Sequence, residues 1–380
     1  RHPPVARALL RQRRAPRGLR ANGAQAPELA VARPVIAPSG DPSRWDAACV
    51  ANPVVLAPRT AGEEWVCFYY GNAGGYGDCG GWAGGVQCFL PTGYCGKATS
   101  LDGISWTPVD GSNADKSVFA PGDRDAWDGL HVGVGDVVRL SNGTLVMFYL
   151  GGSSEPIAMG PSSRAGLRMR IGRAFSDDGG LSWRRDLAPV LDVDPSEGLF
   201  ASWPRVLMPA GETGQLYMTY HAFNGTHWSV FSATSSDLGA SWLRQGRALG
   251  PGAEGAFDSS GIGTRAMCEW RGRWLMAYEG VGGGAFTGVH RLGAAVSDDG
   301  GASWKKLAGL GGPDPGGPIV EPGSAGAWTE QVVGTPYLVP VGGGGLRLYF
   351  CAKTARTNMS IGVLESASGE VGPGAWRPLC

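Results

Sequence analysis

The sequence predicts an all-β fold: a five-bladed β-propeller with four antiparallel strands per blade, in a single domain. Three observations carry that expectation. A turn motif close to Ala-x-Ser-x-Asp-x-Gly-x-Ser-Trp recurs at Ala98–Trp106, Ala174–Trp183, Ala233–Trp242 and Ala295–Trp304, with a weaker echo from Leu364 to Trp376. The steps between the tryptophans are 77, 59, 62 and 72 residues, a period that marks one supersecondary unit used five times. Glycine numbers 64 of 380 residues and charged residues make up only 17%, which suits a chain full of tight turns.

Each element has a physical basis. An apolar run such as Ile171–Phe175 enters the corner. The Asp side chain then bonds backbone two residues on and Gly supplies a positive φ, which makes a tight hairpin turn. The tryptophan opens the outer strand, as in Trp183–Leu191. Upstream of each corner lies an aromatic strand: Trp65–Gly71, Leu145–Gly151, Leu216–His221, Trp274–Gly280 and Leu346–Cys351. Further upstream an acid introduces the innermost strand, namely Asp46, Asp128, Glu197, Asp258 and Glu330. Arg33–Ile36 resembles the outer segment Ala188–Leu191. This N-terminal strand is therefore expected to complete blade five and close the ring without a covalent link.

The propeller is expected over residues 30–380. Residues 1–27 carry seven Arg and no acid, and are set apart as a basic extension of the transit-peptide kind. That points to an organelle, a plastid first, with secretion as the alternative. The formal net charge is zero, so nothing favours nucleic acid. No apolar run approaches the ~18 residues of a membrane span. Cys79, Cys88 and Cys95 cluster in a Gly-rich insertion without a zinc spacing; a disulfide there fits an exported protein. No metal-ligand set or cofactor motif is visible, so neither is expected, and the protein is read as a monomer. Asn142, Asn224 and Asn358 stand in N-x-S/T sequons, two of them equally good Asn-Gly turns.

The row of acids is the candidate site. Matching positions before the innermost strands would gather carboxylates around one axis. A repeated acid is also what a repeat uses for its own architecture, and both readings stand. In the functional one, paired carboxylates cleave a glycosidic bond, and crowding raises one pKa so that it stays protonated.

Five blades, an acid ahead of each inner strand and Ser-x-Asp-Gly-x-x-Trp corners resemble the five-bladed glycoside hydrolases of the arabinanase, levansucrase and invertase type, family 43 in particular. The resemblance runs from about Ala32 to Trp376. It implies Asp46 as general base, Asp128 as orienting and pKa-tuning carboxylate and Glu197 as general acid, with Glu197-Gly198 matching the family's Glu-Gly. Two family signatures differ: Trp127-Asp128-Gly129 stands for Arg-Asp-Pro, and Trp45-Asp46-Ala47 for Asn-Asp-Pro. The corners also resemble the Asp-boxes of sialidases. A carbohydrate is the expected partner, with Trp45, Trp127, His131, Asp258, Arg265 and Glu330 as substrate-binding candidates and His221 as a further one. The alternative is a non-catalytic propeller that binds carbohydrate or a protein through its funnel.

Overall fold

The structure is a computed structural model that describes residues 33–75, 86–88, 90–159, 162–209, 215–307, 317–324, 327–354, 358–372 and 374–380. The basic extension and Cys79 lie outside the described residues, as does the side chain of Cys88; Cys95 is a free, buried thiol.

The described chain is all-β and built from five four-stranded antiparallel units. Unit one holds β1 (Cys49–Leu56), β2 (Trp65–Asn72), β4 (Tyr94–Ser100) and β5 (Thr107–Val109), with the short β3 (Val86–Cys88) between. Unit two holds β6 (His131–Arg139), β7 (Leu145–Gly152), β10 (Met169–Ser176) and β11 (Arg184–Arg185). Its β8 (Ile157–Met159) and β9 (Ser162–Ala165) pair with β3 in a small separate sheet. Unit three is β12 (Ser202–Leu207) to β15 (Leu243–Leu249), with β13 (Leu216–Phe223) and β14 (Trp228–Ser235) between. Unit four is β16 (Gly261–Trp270), β17 (Arg273–Gly282), β18 (Val289–Ser297) and β19 (Lys305–Lys306). Unit five is β20 (Val332–Val341), β21 (Gly345–Lys353), β22 (Ser360–Ser366) and β23 (Arg377–Pro378). The first strands touch in the order β1, β6, β12, β16, β20 and back to β1.

The hydrophobic core is divided in the same way. Five buried clusters each lie between two consecutive units, from Val54, Phe68 and Val132 between one and two to Val50, Tyr349 and Ile361 between five and one. Alternation along each strand gives every sheet two apolar faces, one for each neighbour.

The corners join neighbouring units. Asp102 Oδ1 accepts the backbone N–H groups of Ile104 and Ser105 (both 2.7 Å), while Ser100 Oγ accepts that of Gly103 (2.8 Å). The same arrangement recurs at Asp178, Asp237 and Asp299. Each corner tryptophan then meets the preceding unit. Trp183 packs edge-on to Phe68, Trp242 to Phe148 and Trp106 to Tyr349, and Trp304 donates to the Tyr217 hydroxyl at 3.1 Å. Unit one thus clasps unit five. The fifth corner keeps the pattern through Gly369, where a Cβ would come within 2.2 Å of Trp270.

Hydrogen bonds from Ser105 and Ile104 hold the Asp102 carboxyl down at about 2. A depressed acid stabilises the fold above its unfolded value of about 4 and loses that contribution as pH falls toward 2. Asp102→Ala is expected to lower stability by about 1 kcal/mol at neutral pH, a deficit that shrinks below pH 3. Urea titrations of both proteins across that range check it.

Both ends of the described chain meet in unit five. Ile36 bridges Ile361, as Leu191 bridges Ile171 and Val320 bridges Leu292 in their own units. The expected outer strand from the N-terminus is thus one bridge, and β23 from the C-terminus supplies the rest of that edge.

All five first strands carry a bulge midway. Asn52, Trp203 and Thr335 sit at these bulges with φ of 49°, 48° and 45°, each followed by Pro. Just beyond the bulges the centre is filled by a buried polar cluster. Asp136 accepts from Val206 N (2.8 Å) and the Tyr337 hydroxyl (3.0 Å). Arg205 donates to the carbonyls of Arg265 (2.7 Å) and Gly135, and Arg265 to Thr219 Oγ1 (3.0 Å) and the Trp203 carbonyl.

Candidate functional site

The structure places the acids inside the units, each with its own partners. Asp128 is 1% exposed, accepts the Tyr149 hydroxyl (2.9 Å) and pairs with Arg185 (2.6 Å). Glu197 accepts the Tyr220 hydroxyl (2.8 Å) and pairs with Arg244. Asp258 accepts the Tyr278 hydroxyl (3.1 Å) and pairs with Lys306 (2.6 Å). Asp46 lies 3.5 Å from the Tyr69 hydroxyl and pairs with Arg44 (3.2 Å). The acid ties the loop before the first strand to the second strand and, in units two to four, to the fourth. Asp46, Asp128 and Glu197 are thus each held by a tyrosine and a cation of their own unit.

Unit five explains why. Gly323 N–H bonds the Thr329 carbonyl, as Gly122 bonds Asp128 and Gly252 bonds Asp258. The anchor slot thus belongs to Thr329, and Glu330 lies one residue beyond it. Where Thr329 replaces the acid, Phe350 replaces the tyrosine and Pro378 the cation. The acid and the tyrosine change together because a buried carboxylate without its hydroxyl is costly; the fourth-strand cation is less strict, since unit one has Pro108 there and pairs Asp46 with Arg44 instead. Asp128→Ala is expected to cost about 2 kcal/mol, and the triple change Asp128→Thr, Tyr149→Phe and Arg185→Pro less than that. Chemical denaturation compares them directly.

The neighbouring aromatics are packing residues. Trp127 stacks on Tyr149 (5.6 Å), Phe257 on Tyr278 (5.9 Å), and Trp328 lies 5.6 Å from Phe350. Trp45 is buried against Tyr69. A third-strand glycine makes room for each ring: Gly96, Gly172, Gly293 and Gly362 would all put a Cβ within 2.6 Å of it. Trp45 and Trp127 thus present no sugar platform. His131 is buried, with Nε2 at 2.6 Å from the Gly166 carbonyl. Arg265 is wholly buried in the central cluster.

What the structure brings together instead is a cavity of about 750 Å³ at the leading ends of the first strands. Its wall takes Asn52, Tyr70 and Asn72 from unit one, Trp203, His221 and Trp228 from unit three, Thr264, Glu279 and His290 from unit four, and Thr335 and Lys353 from unit five. None of Asp46, Asp128, Glu197, Asp258 or Glu330 lines it. Left-handed non-glycine backbone costs of order 1–3 kcal/mol and gathers at functional sites. Here Asn52, Trp203 and Thr335 supply it at the cavity floor.

Glu279 and His290 are its charged pair. Glu279 Oε1 meets His290 Nδ1 at 2.5 Å, and Oε2 accepts Thr264 Oγ1 (2.6 Å) and Thr335 N (3.1 Å). Burial pushes the Glu279 carboxyl up, yet the bonds from His290, Thr264 and Thr335 together bring it down to about 2. Burial likewise opposes charging of His290, and the Glu279 carboxylate outweighs it, so the imidazole pKa is raised. His221 is 3% exposed with no hydrogen-bond partner on either ring nitrogen, and Asn52 Oδ1 is buried without one too. Burial, and then the charge of Arg265, lowers His221 to about 3, so it is neutral. Among the described residues no cluster of His, Cys, Asp or Glu is arranged to hold a metal ion.

Glu279, His290, Lys353 and Asn52 escaped the sequence reading. One signal existed: the residue after each second-strand aromatic reads Tyr70, Leu150, His221, Glu279 and Cys351, so a buried strand position carries a carboxylate in one unit alone.

No family model matches the sequence, and neither does any curated protein. Solved structures do. One described as a glycoside hydrolase aligns over 87% of this chain and 89% of its own, with TM-score 0.61 and 16% identity. A second comes from work on mannoside phosphorylases and glycoside hydrolases of family GH130 that target β-1,2 mannosidic linkages in Candida mannan (91% and 95%, TM-score 0.56, 16% identity). A third is an N-acetylgalactosamine deacetylase from F. plautii in complex with blood group B trisaccharide (88% and 94%, TM-score 0.59, 14% identity). At these identities the likeness concerns the fold, and the fold is one that glycoside hydrolases use.

Proposed function

We propose that the five units are the blades of a five-bladed β-propeller, and that the protein is a glycosidase-like hydrolase acting on a saccharide in the cavity. Five four-stranded antiparallel units, the third and fourth joined through a single β14–β16 bridge at Trp228 and Gly261, five inter-unit cores and the cyclic order of the first strands support the architecture. The observation that carries the function is the cavity wall. The aromatic side chains of Tyr70, Trp203, Trp228 and Phe286 line it together with Asn52 Oδ1 and the His221 ring nitrogens, buried polar atoms with no hydrogen-bond partner among the described residues. A sugar ring offers the matching pair of surfaces, an apolar face and directed hydroxyls.

Glu279 and His290 are the groups that would act. His290 is bound to Glu279 through Nδ1, and Nε2 makes no hydrogen bond among the described residues. The imidazolium gives its proton to the leaving oxygen as the glycosidic bond breaks, while the Glu279 carboxylate offsets positive charge at the anomeric carbon. Water adds there, and its proton returns to His290. Because the His290 pKa is raised, the acid form persists above the usual pH 6.5, and turnover falls as pH climbs through the raised value.

One observation favours a second reading, saccharide binding without cleavage: Glu279 is the single carboxylate among the described lining residues, where the usual pathway takes two. Turnover of aryl-glycosides and oligosaccharides decides between them. Hydrolysis that drops at least about 100-fold in Glu279→Gln and persists in folded Asp128→Asn supports the first. Binding with no turnover supports the second, and turnover unchanged in Glu279→Gln refutes the assignment.

A further inference from the structure

The cavity holds one charge too many. Its charged lining residues are Glu279, His290 and Lys353. Both Glu279 oxygens are already taken, Oε1 by His290 and Oε2 by Thr264 and Thr335. The ammonium of Lys353, half-buried at the end of β21, forms no ion pair or hydrogen bond with any described residue. Lys353 lines the same cavity as His290 of unit four and Cys49 of unit one. The Cys49 thiol is no counter-ion, since burial pushes it up to about 11. A lysine drawn into a partly desolvated wall with no anion beside it among the described residues is unfavourable on its own. Elsewhere this chain pairs such groups: Lys306 with Asp258, and Arg44 with Asp46 and Asp110.

We infer that the saccharide taken by this cavity is acidic, a sugar bearing a carboxylate, with the Lys353 ammonium receiving that carboxylate and His290 left for the cleavage step. The inference rests on the reading of the cavity as a saccharide site and names its substrate class. The neutral His221 and Asn52 Oδ1 are left for hydroxyls, and Trp203 and Trp228 for the ring face. Lys353 is here a binding group for the carboxylate, not part of the cleavage step.

The test is calorimetric titration of the full chain with oligogalacturonides and oligoglucuronides. Each is paired with its methyl ester, which keeps the skeleton and removes the charge; neutral hexose oligosaccharides and sodium phosphate are the remaining arms. The acid is expected to bind at least about tenfold more tightly than its ester at low salt, with the gap closing as salt rises. Lys353→Met should abolish the gap while leaving ester affinity unchanged, and Lys353→Arg should keep most of it. Equal affinity for acid and ester, or a gap that survives Lys353→Met, overturns the inference. Phosphate bound in a Lys353-dependent way with no acid preference also overturns it, making a free oxyanion the occupant. If neutral saccharides and esters bind but acids gain nothing, the saccharide site stands and this inference alone falls. If no saccharide of any charge binds, both fall.

Discussion

Asp136→Ala is expected to cost about 4 kcal/mol of folding free energy, the largest loss from a single change in this protein. Asp136 is 5% exposed and faces Arg205, which is 2% exposed. Removing the carboxylate strips the Val206 and Val137 N–H groups and the Tyr337 hydroxyl of their acceptor. It also leaves a buried guanidinium without its countercharge. Those partners come from three different units, so the damage reaches well beyond the unit that carries the change. The double change Asp136→Leu with Arg205→Met should cost less than Asp136→Ala, because no orphaned charge remains. Guanidinium unfolding of the three proteins is the measurement. A loss under about 1 kcal/mol for Asp136→Ala would show that the cluster does not couple the blades.

Phe231→Gly should be the next most damaging, at about 3 kcal/mol. Four blades place a large aromatic beside the anchor and a glycine beneath it on the third strand. Blade three inverts the pair: Ser196 stands where the others have Trp or Phe, and Phe231 fills the space from below, stacked 6.1 Å from Tyr220. Phe231→Gly recreates the glycine without its ring and opens a void. Adding Ser196→Trp should recover at least half of the loss if the two positions are complementary. Thermal melts of the single and double variants read this, and a double variant no better than the single would refute it.

These internal exceptions explain what was legible in the sequence. The corner motif is local, nine or ten residues whose turn-forming hydrogen bonds lie within the motif itself, so its spelling announced the turns and the repeated antiparallel unit. The acids were visible too, but their role was not. Tyr149 is 21 residues from Asp128 and Arg185 is 57, so a row of anchors looks in sequence like a row of catalytic groups. The informative comparison was the unit that lacks them, where Thr329 and Phe350 depart together. Architecture occupies the positions that recur, and chemistry occupies those that do not. Glu279, His290 and Lys353 each stand at a position filled differently in the other blades, so a search for repeats passes over them.

The meeting of Ile36 with Ile361 has a kinetic consequence. The seams between blades one to five in turn join stretches of chain that follow one another in synthesis, whereas this closing seam joins the two extremes of the described chain. Closing it joins residues 325 apart in sequence, a longer loop than the Ile171–Leu191 or Leu292–Val320 bridge closes, so it is expected to form late and to open early. Hydrogen exchange at Val35, Ile36 and Ile361 should therefore run ahead of exchange at Ile171 and Leu191, the same bridge within one blade.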